Sequence, residues 1–281
     1  MKYVWKVEEG SKVNLKDYDP NFTDKHASHH DAADELADLS KELRDLQELL
    51  AAAQQNSMLI VLQGMDTSGK DGTIRHVFSY VNPQGCYVHS FKEPTPEELA
   101  HDFLWRVHKA TPGKGMVGIF NRSHYEDVLI ARVHNLVPEK VWSQRYAEIN
   151  HFEHLLANSK TLILKFFLHI SFDEQTQRLQ AREQDKDKTW KLSAADWSER
   201  KYWNDYQQAY EDALSRCSTG TAPWYIVPSN HKWFRNLAVA HTLVHTMRQY
   251  ADAWKAELEE RGKEELAELE KIHAVPQEQE K

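Results

Sequence analysis

The stretch Met58-Leu59-Ile60-Val61-Leu62-Gln63-Gly64-Met65-Asp66-Thr67-Ser68-Gly69-Lys70-Asp71-Gly72 decides the fold. Its first six residues form a short apolar run suited to a strand buried on both faces. Glycines follow, and Lys70 opens a helical pattern over 70–81. Strand, glycine-rich loop and helix in this order are the setting of a phosphate-binding loop. The glycines let backbone N–H groups curl toward phosphate oxygens, and the helix adds its positive N-terminal end. Lys70 supplies a mobile point charge. The common pattern continues with Ser or Thr, whose hydroxyl binds Mg²⁺; Asp71 stands there instead, so the strict pattern is not met. Asp66 would be repelled by phosphate unless a cation lay between them, so it predicts Mg²⁺ at that point. The bland alternative is a glycine-rich turn that binds nothing.

Outward from this unit, strand candidates recur at 85–91, 116–120, 161–170 and 224–227, with helical patterns at 96–109, 138–158, 171–183 and 196–215. Alternation of this kind predicts an α/β fold, a mainly parallel sheet covered on both faces. Leu36, Leu39, Leu43, Leu46 and Leu50 mark an amphipathic helix before the core. Residues 233–271 read as one or two long helices, solvated toward the end. The expected division is an N-terminal arm and helix (1–54), a core (55–235) with a lid at about 171–195, and a helical extension (236–281).

Two further clusters carry charge. Asn121-Arg122-Ser123-His124-Tyr125-Glu126-Asp127 follows the strand candidate at 116–120. Ligands of open parallel sheets gather outside the carboxyl ends of strands, so this cluster should face the same crevice as Lys70. Arg122 suits two-point contact with phosphate, and Glu126 and Asp127 suit a metal site. The competing reading is a polar turn in which Ser123 or Asp127 caps a helix. Later, Arg178 and Arg182 lie four apart, Lys186 extends the row, and Lys188 and Lys191 follow. The row suits a lid closing over phosphates; taken alone, its interleaved acids favour an exposed charged helix.

Net charge is −8, from 35 basic and 43 acidic residues, which argues against nucleic acid as the main partner. No apolar run reaches the roughly 20 residues of a bilayer span, so no membrane partner is expected. The start lacks the apolar stretch of a secretory signal, and Cys86 and Cys217 are too few for a disulfide framework. A cytoplasmic protein with reduced thiols is the expectation.

Residues 64–75, together with Phe120-Asn121-Arg122-Ser123-His124-Tyr125-Glu126-Asp127-Val128-Leu129, resemble the second family of polyphosphate kinases. The likeness continues through Phe103-Leu104-Trp105-Arg106-Val107-His108, the run 164–171 and Ala222-Pro223-Trp224-Tyr225, and spans roughly 55–235. It implies a P-loop kinase fold, thymidylate kinase-like, a three-layer sandwich with a parallel sheet and a helical lid. The implied reaction is reversible transfer of phosphate from inorganic polyphosphate to AMP or ADP, with Mg²⁺ or Mn²⁺. By this likeness Asp66, Lys70, Asn121, Arg122, Glu126 and Asp127 are catalytic, and Asp66, Glu126 and Asp127 hold metal. Gly64, Thr67, Ser68, Gly69, Asp71, Gly72, Arg75, Arg178, Arg182 and Lys186 contact phosphate, and Arg106 meets the nucleotide. Asn121 with Glu126 resembles the subgroup accepting both AMP and ADP, whereas Asp at 121 is typical of the ADP-preferring one. Homo-oligomers are also implied, with apolar faces of the N-terminal helix as one source of contact. An ATP-dependent nucleoside or nucleotide kinase, and a non-catalytic nucleotide- or polyphosphate-binding regulator, are the alternatives.

Overall fold

The computed structural model describes residues 3–24, 29–184 and 194–274. In chain order the first half carries β1 (Trp5–Lys6), α1 (His29–Ala53), β2 (Ser57–Gln63), α2 (Lys70–Val77), β3 (Cys86–Ser90), α3 (Pro96–Leu99), α4 (Trp105–Lys109) and β4 (Val117–Asn121). The second half carries α5 (Ile130–Val133), α6 (Glu139–Asn158), β5 (Thr161–His169), α7 (Phe172–Gln184), α8 (Ala194–Glu199), α9 (Trp203–Arg216), β6 (Trp224–Pro228) and α10 (Lys232–Ala274).

β2 is buried at every position, as its apolar run requires. It lies between β4 and β5 in a sheet ordered β1-β6-β5-β2-β4-β3, parallel throughout except for β1. The alternation of side chains along β2 divides the core in two. Leu59 and Val61 pack with residues of α4, α6 and α9, while Met58, Ile60 and Leu62 pack with α1, α2 and α10. Three layers result. The crevice forms where the chain, leaving β2, turns to one side for β3 and β4 and to the other for β5 and β6.

Three expectations change. The helical pattern 96–109 is two short helices, because Asp102 accepts the Leu104 N–H and starts a new turn between them. The pattern 196–215 is likewise divided, into α8, a 3₁₀ turn at Arg200–Tyr202, and α9. The boundary at 235 falls inside α10, whose first half from Phe234 to Trp254 is part of the core. The leucine stripe of α1 packs on the core as its spacing predicts: Leu39, Leu43, Leu46 and Leu50 are buried in the layer shared with α10. Among the described residues no helix is long and apolar enough to cross a membrane.

Two of the contacts that hold the N-terminal arm are made to β6 and β5. β1 extends the sheet by pairing antiparallel with β6, and the Nε2–H of buried His169, ending β5, donates to Tyr18 O at 3.1 Å. Burial pushes the His169 imidazole down to about 4. The unfolded chain therefore takes up this proton near pH 6.5, whereas the fold resists it until about 4. Stability is full above the unfolded value and falls with acid through that window, by about 3 kcal/mol at most. Urea denaturation at pH 7 and pH 4.5 is expected to show His169→Gln losing about 2 kcal/mol less than the native chain between the two.

Candidate active site

β2 delivers its last residue, Gln63, to the sheet edge, and the chain turns sharply at Gly64 (φ +152°). A Cβ here would lie 2.7 Å from both Leu168 O and Ser68 Oγ, so only glycine passes. Thr67 is left-handed (φ +66°), a conformation that strains a β-branched residue. Gly69 (φ +103°) caps α2, and Lys70 is its first residue. Oγ1 of Thr67, Oγ of Ser68 and Oγ1 of Thr73 are buried without hydrogen-bond partners. Three such hydroxyls around one loop are a costly feature unless a polar ligand completes them.

Lys70 is 9% exposed. Its Nζ donates to Gly64 O at 2.7 Å and Met65 O at 3.3 Å, closing the loop upon itself. Burial, reinforced by the neighbouring Arg122 charge, brings the ammonium down to about 8, against the pull of Asp66, Glu126 and Asp71.

β4 brings the second cluster alongside: Leu62 is in register with Asn121, and Arg122 N donates to Leu62 O at 3.1 Å. Arg122 is left-handed (φ +62°), which swings its side chain across the crevice. Its Nη2 lies 2.9 Å from Asp66 Oδ1 and its Nη1 3.4 Å from Glu126 Oε2. One cation thus bridges two carboxylates from different loops. Asn121 Nδ2 donates to Asp71 Oδ1 at 2.7 Å, joining the strand end to α2.

His124 and Tyr125, between these residues, point the other way. The Tyr125 hydroxyl donates to Glu153 Oε1 at 2.9 Å, and His124 Nε2 lies 3.1 Å from that oxygen. Lys165 of β5 donates to Tyr125 Oη at 2.8 Å and pairs with Glu153; both are fully buried. Although burial opposes it, Lys165 and His124 hold the Glu153 carboxyl below the usual carboxylate range. This network anchors the loop that carries Arg122 and Glu126. Lys165→Met strands the Glu153 charge and is expected to cost about 3–5 kcal/mol in chemical denaturation. The double variant Lys165→Met/Glu153→Leu is expected to recover most of that loss.

The family model for polyphosphate kinase 2 matches residues 26–255. The chain belongs to the polyphosphate kinase 2 family. The AMP/ADP-polyphosphate phosphotransferase of Meiothermus ruber is 52% identical over 248 residues, covering 88% of this chain and 93% of that protein. The ADP-polyphosphate phosphotransferase of Rhodopseudomonas palustris is 43% identical over 278 residues, covering 93% and 95%. The crystal structure of polyphosphate kinase 2 from Arthrobacter aurescens TC1 superposes with a TM-score of 0.84 at 44% identity, covering 86% of this chain and 88% of that one. The fold is accordingly that of a P-loop kinase, with the mainly parallel sheet described above.

Within this polyphosphate kinase 2 chain, several residues expected at the phosphates or the nucleotide hold groups of the protein itself. Arg178, on α7, is 8% exposed, and its donors are all taken. Nε binds Glu174 at 2.7 Å, Nη1 binds Thr67 O at 2.9 Å and Ser68 O at 3.0 Å, and Nη2 binds Ser229 O and Asn230 O. It braces the outer side of the loop. Arg182 pairs with Asp196 at 3.0 Å, tying α7 to α8, and Lys186, Lys188 and Lys191 lie outside the described residues. Arg106 places its guanidinium on Glu98 Oε2 (3.0 Å) and Lys92 O (2.7 Å), bracing α4 against α3. Arg75 is exposed on the face of α2.

The three carboxylates expected to hold metal have different partners. Asp127 pairs with Arg145 of α6 at 2.9 Å, and burial pushes its carboxyl up to about 6 despite Arg145 and Arg106. Among the described residues no cluster of three or more His, Cys, Asp or Glu gathers around one point. Asp66 and Glu126 are two hard oxygen donors already sharing one cation, a set that fits a divalent ion completed by phosphate oxygens. Unforeseen participants are Arg145, Arg235, and Gln175, whose Nε2 donates to Asp66 O at 3.1 Å.

Proposed function

We propose that the chain transfers the terminal phosphoryl group of inorganic polyphosphate to AMP and ADP, giving ADP and ATP, reversibly. The observation that carries the reading is the convergence of Lys70, Asp66, Arg122 and Glu126 at the carboxyl ends of β2 and β4. Its membership of the family and the activities for which the Meiothermus ruber and Rhodopseudomonas palustris relatives are named support the substrate pair.

The nucleophile is already an anionic oxygen of the nucleotide's terminal phosphate, so no strong base is needed. That oxygen bonds to the terminal phosphorus of the chain, the bridging P–O bond breaks, and the shortened polyphosphate leaves with the electron pair. The barrier is repulsion between two polyanions, so positioning and charge neutralisation supply most of the acceleration. Backbone N–H groups of 64–70 and the N-terminal end of α2 receive phosphate oxygens. Lys70 turns from Gly64 O to the phosphate, and Arg122 turns from Asp66 to the transferring group. A divalent cation, when bound, neutralises phosphate oxygens; Asp66 and Glu126 would hold it.

The likeness of Asn121 with Glu126 to the subgroup that takes both nucleotides supports acceptance of AMP as well as ADP. As a neutral amide Asn121 donates to Asp71, whereas a carboxylate there would face another carboxylate and demand a proton or further cation.

The test offers AMP and ADP separately with long-chain polyphosphate and Mg²⁺, without ATP. Formation of ADP from AMP, and of ATP from ADP, is expected. Phosphorylation that appears only when ATP is the donor would contradict the reading in favour of a nucleotide kinase.

A further inference from the structure

Arg235 lies in the first turn of α10 and is 2% exposed. Its Nη1 donates to Ser68 O at 3.2 Å, while Nε and Nη2 donate to Asn236 Oδ1 at 3.2 and 2.8 Å. The guanidinium sits against the side of Gly69 that lacks a Cβ: one built there would fall 1.8 Å from Nη1. A Cβ on Gly72 would lie 3.2 Å from Nη2. Both glycines are thus needed to bring this cation under the loop as well as to shape the loop itself.

Arg178 approaches the same peptides with a carboxylate beside it, Glu174. Arg235 has none: among the described residues its partners are a carbonyl and an amide oxygen. Burying a cation without an anion costs several kcal/mol. Burial, with the Arg178 charge beside it, accordingly brings Arg235 down to about 9. An apolar side chain of similar length would fill the space without that cost. What the guanidinium adds is orientation and field. The carbonyls of Thr67 and Ser68 are drawn outward to Arg178 and Arg235, which turns the 68–69 peptide N–H the opposite way, and a fixed positive charge stands behind it.

We propose that Arg235 is a positioning residue for phosphate binding: it orients the Ser68–Gly69 peptide and supplies a buried charge behind the loop, strengthening anion binding without contacting the anion. The inference rests on the loop being the phosphate site.

The test measures binding of inorganic tripolyphosphate by calorimetry, and KM for polyphosphate and for ADP, in the native chain and in Arg235→Met, Arg235→Lys and Lys70→Met. Arg235→Met is expected to weaken tripolyphosphate binding about tenfold and to raise KM for polyphosphate alike. KM for ADP should hold, and Tm should stay level or rise because an unpaired charge is gone. Arg235→Lys should fall between, since it keeps the charge but loses the fork. Native tripolyphosphate affinity in Arg235→Met overturns the inference. So does a parallel loss of Tm and of both KM values, which marks a purely structural role. Should Arg235→Met fail to fold, Arg235→Lys decides: a raised polyphosphate KM with unchanged ADP KM supports the inference, and unchanged values overturn it. If the native chain fails to bind tripolyphosphate, or Lys70→Met binds it undiminished, the site reading falls and takes the inference with it. If Lys70→Met loses binding while Arg235→Met keeps it, only the inference falls.

Discussion

Lys70→Met is expected to lower turnover by about 10²–10³-fold, the effect of removing one preorganised charge from a transition state, while leaving the protein as stable as before or more so. Both halves follow from the same geometry. The ammonium is buried in a loop whose carbonyls it holds at 2.7 and 3.3 Å, with no carboxylate in hydrogen-bond contact among the described residues. Its depressed value, about 8, means that the fold disfavours the charged form. Relative to the ordinary lysine that is about 3 kcal/mol. Methionine fills the volume without that penalty, so the site keeps an unfavourable charge for its chemistry. The pH dependence has a sign. The ammonium is present in the free enzyme below about 8 and lost above it. The value of kcat/KM for polyphosphate should therefore fall as pH rises through that point, whereas kcat, with phosphate bound, should fall only at higher pH. Turnover near the native level in a folded Lys70→Met protein would rule out the assignment.

Arg122→Ala is expected to remove about 10³-fold of turnover, as loss of a guanidinium from a phosphoryl-transfer site does. The stability change should be small, because its two ion pairs are half-exposed and contribute little. Alanine also inherits the left-handed backbone at φ +62°, so Arg122→Gly is the partner variant: it relieves that strain and should be equally inactive. Removing the arginine leaves Asp66 and Glu126 without the cation they share. Divalent-cation affinity in the absence of substrate should therefore hold or rise. That separates loss of a phosphate contact from collapse of the acidic pair. An Arg122→Ala enzyme with native kcat and weakened cation binding would reverse the roles assigned to the two sides of the crevice.

The phosphate loop was legible because its parts are contiguous. A buried strand, glycines at the turn and a lysine opening a helix sit within fifteen residues, and each has a local physical reason. The 121–127 cluster was legible as a strand end, but its division was not. Arg122 and Glu126 face the crevice while His124 and Tyr125 face a buried lysine–glutamate pair, and that partner set comes from α6 and β5. The spacing of Arg178 to Arg182 suggested one basic face and did not reveal its burial. The same spacing pairs it with Glu174, and burial turns it under the loop. Arg145 and Arg235 lie in ordinary helical patterns, and only the fold brings them to Asp127 and Gly69. The two-residue strand β1 was hidden for a simpler reason: two residues carry no periodicity.

Lys70, held on the carbonyls of its own loop, and Arg122, held between Asp66 and Glu126, are released to the phosphate when substrate binds. A crystal structure with tripolyphosphate, Mg²⁺ and ADP tests this release most directly. A phosphate is expected within the curve of residues 64–70, with Lys70 Nζ moved from Gly64 O to a phosphate oxygen, Arg122 turned from Asp66 to the same group, and the cation on Asp66 and Glu126. Tripolyphosphate bound elsewhere, with Lys70 still on Gly64 O and Arg122 still bridging the two carboxylates, would contradict it.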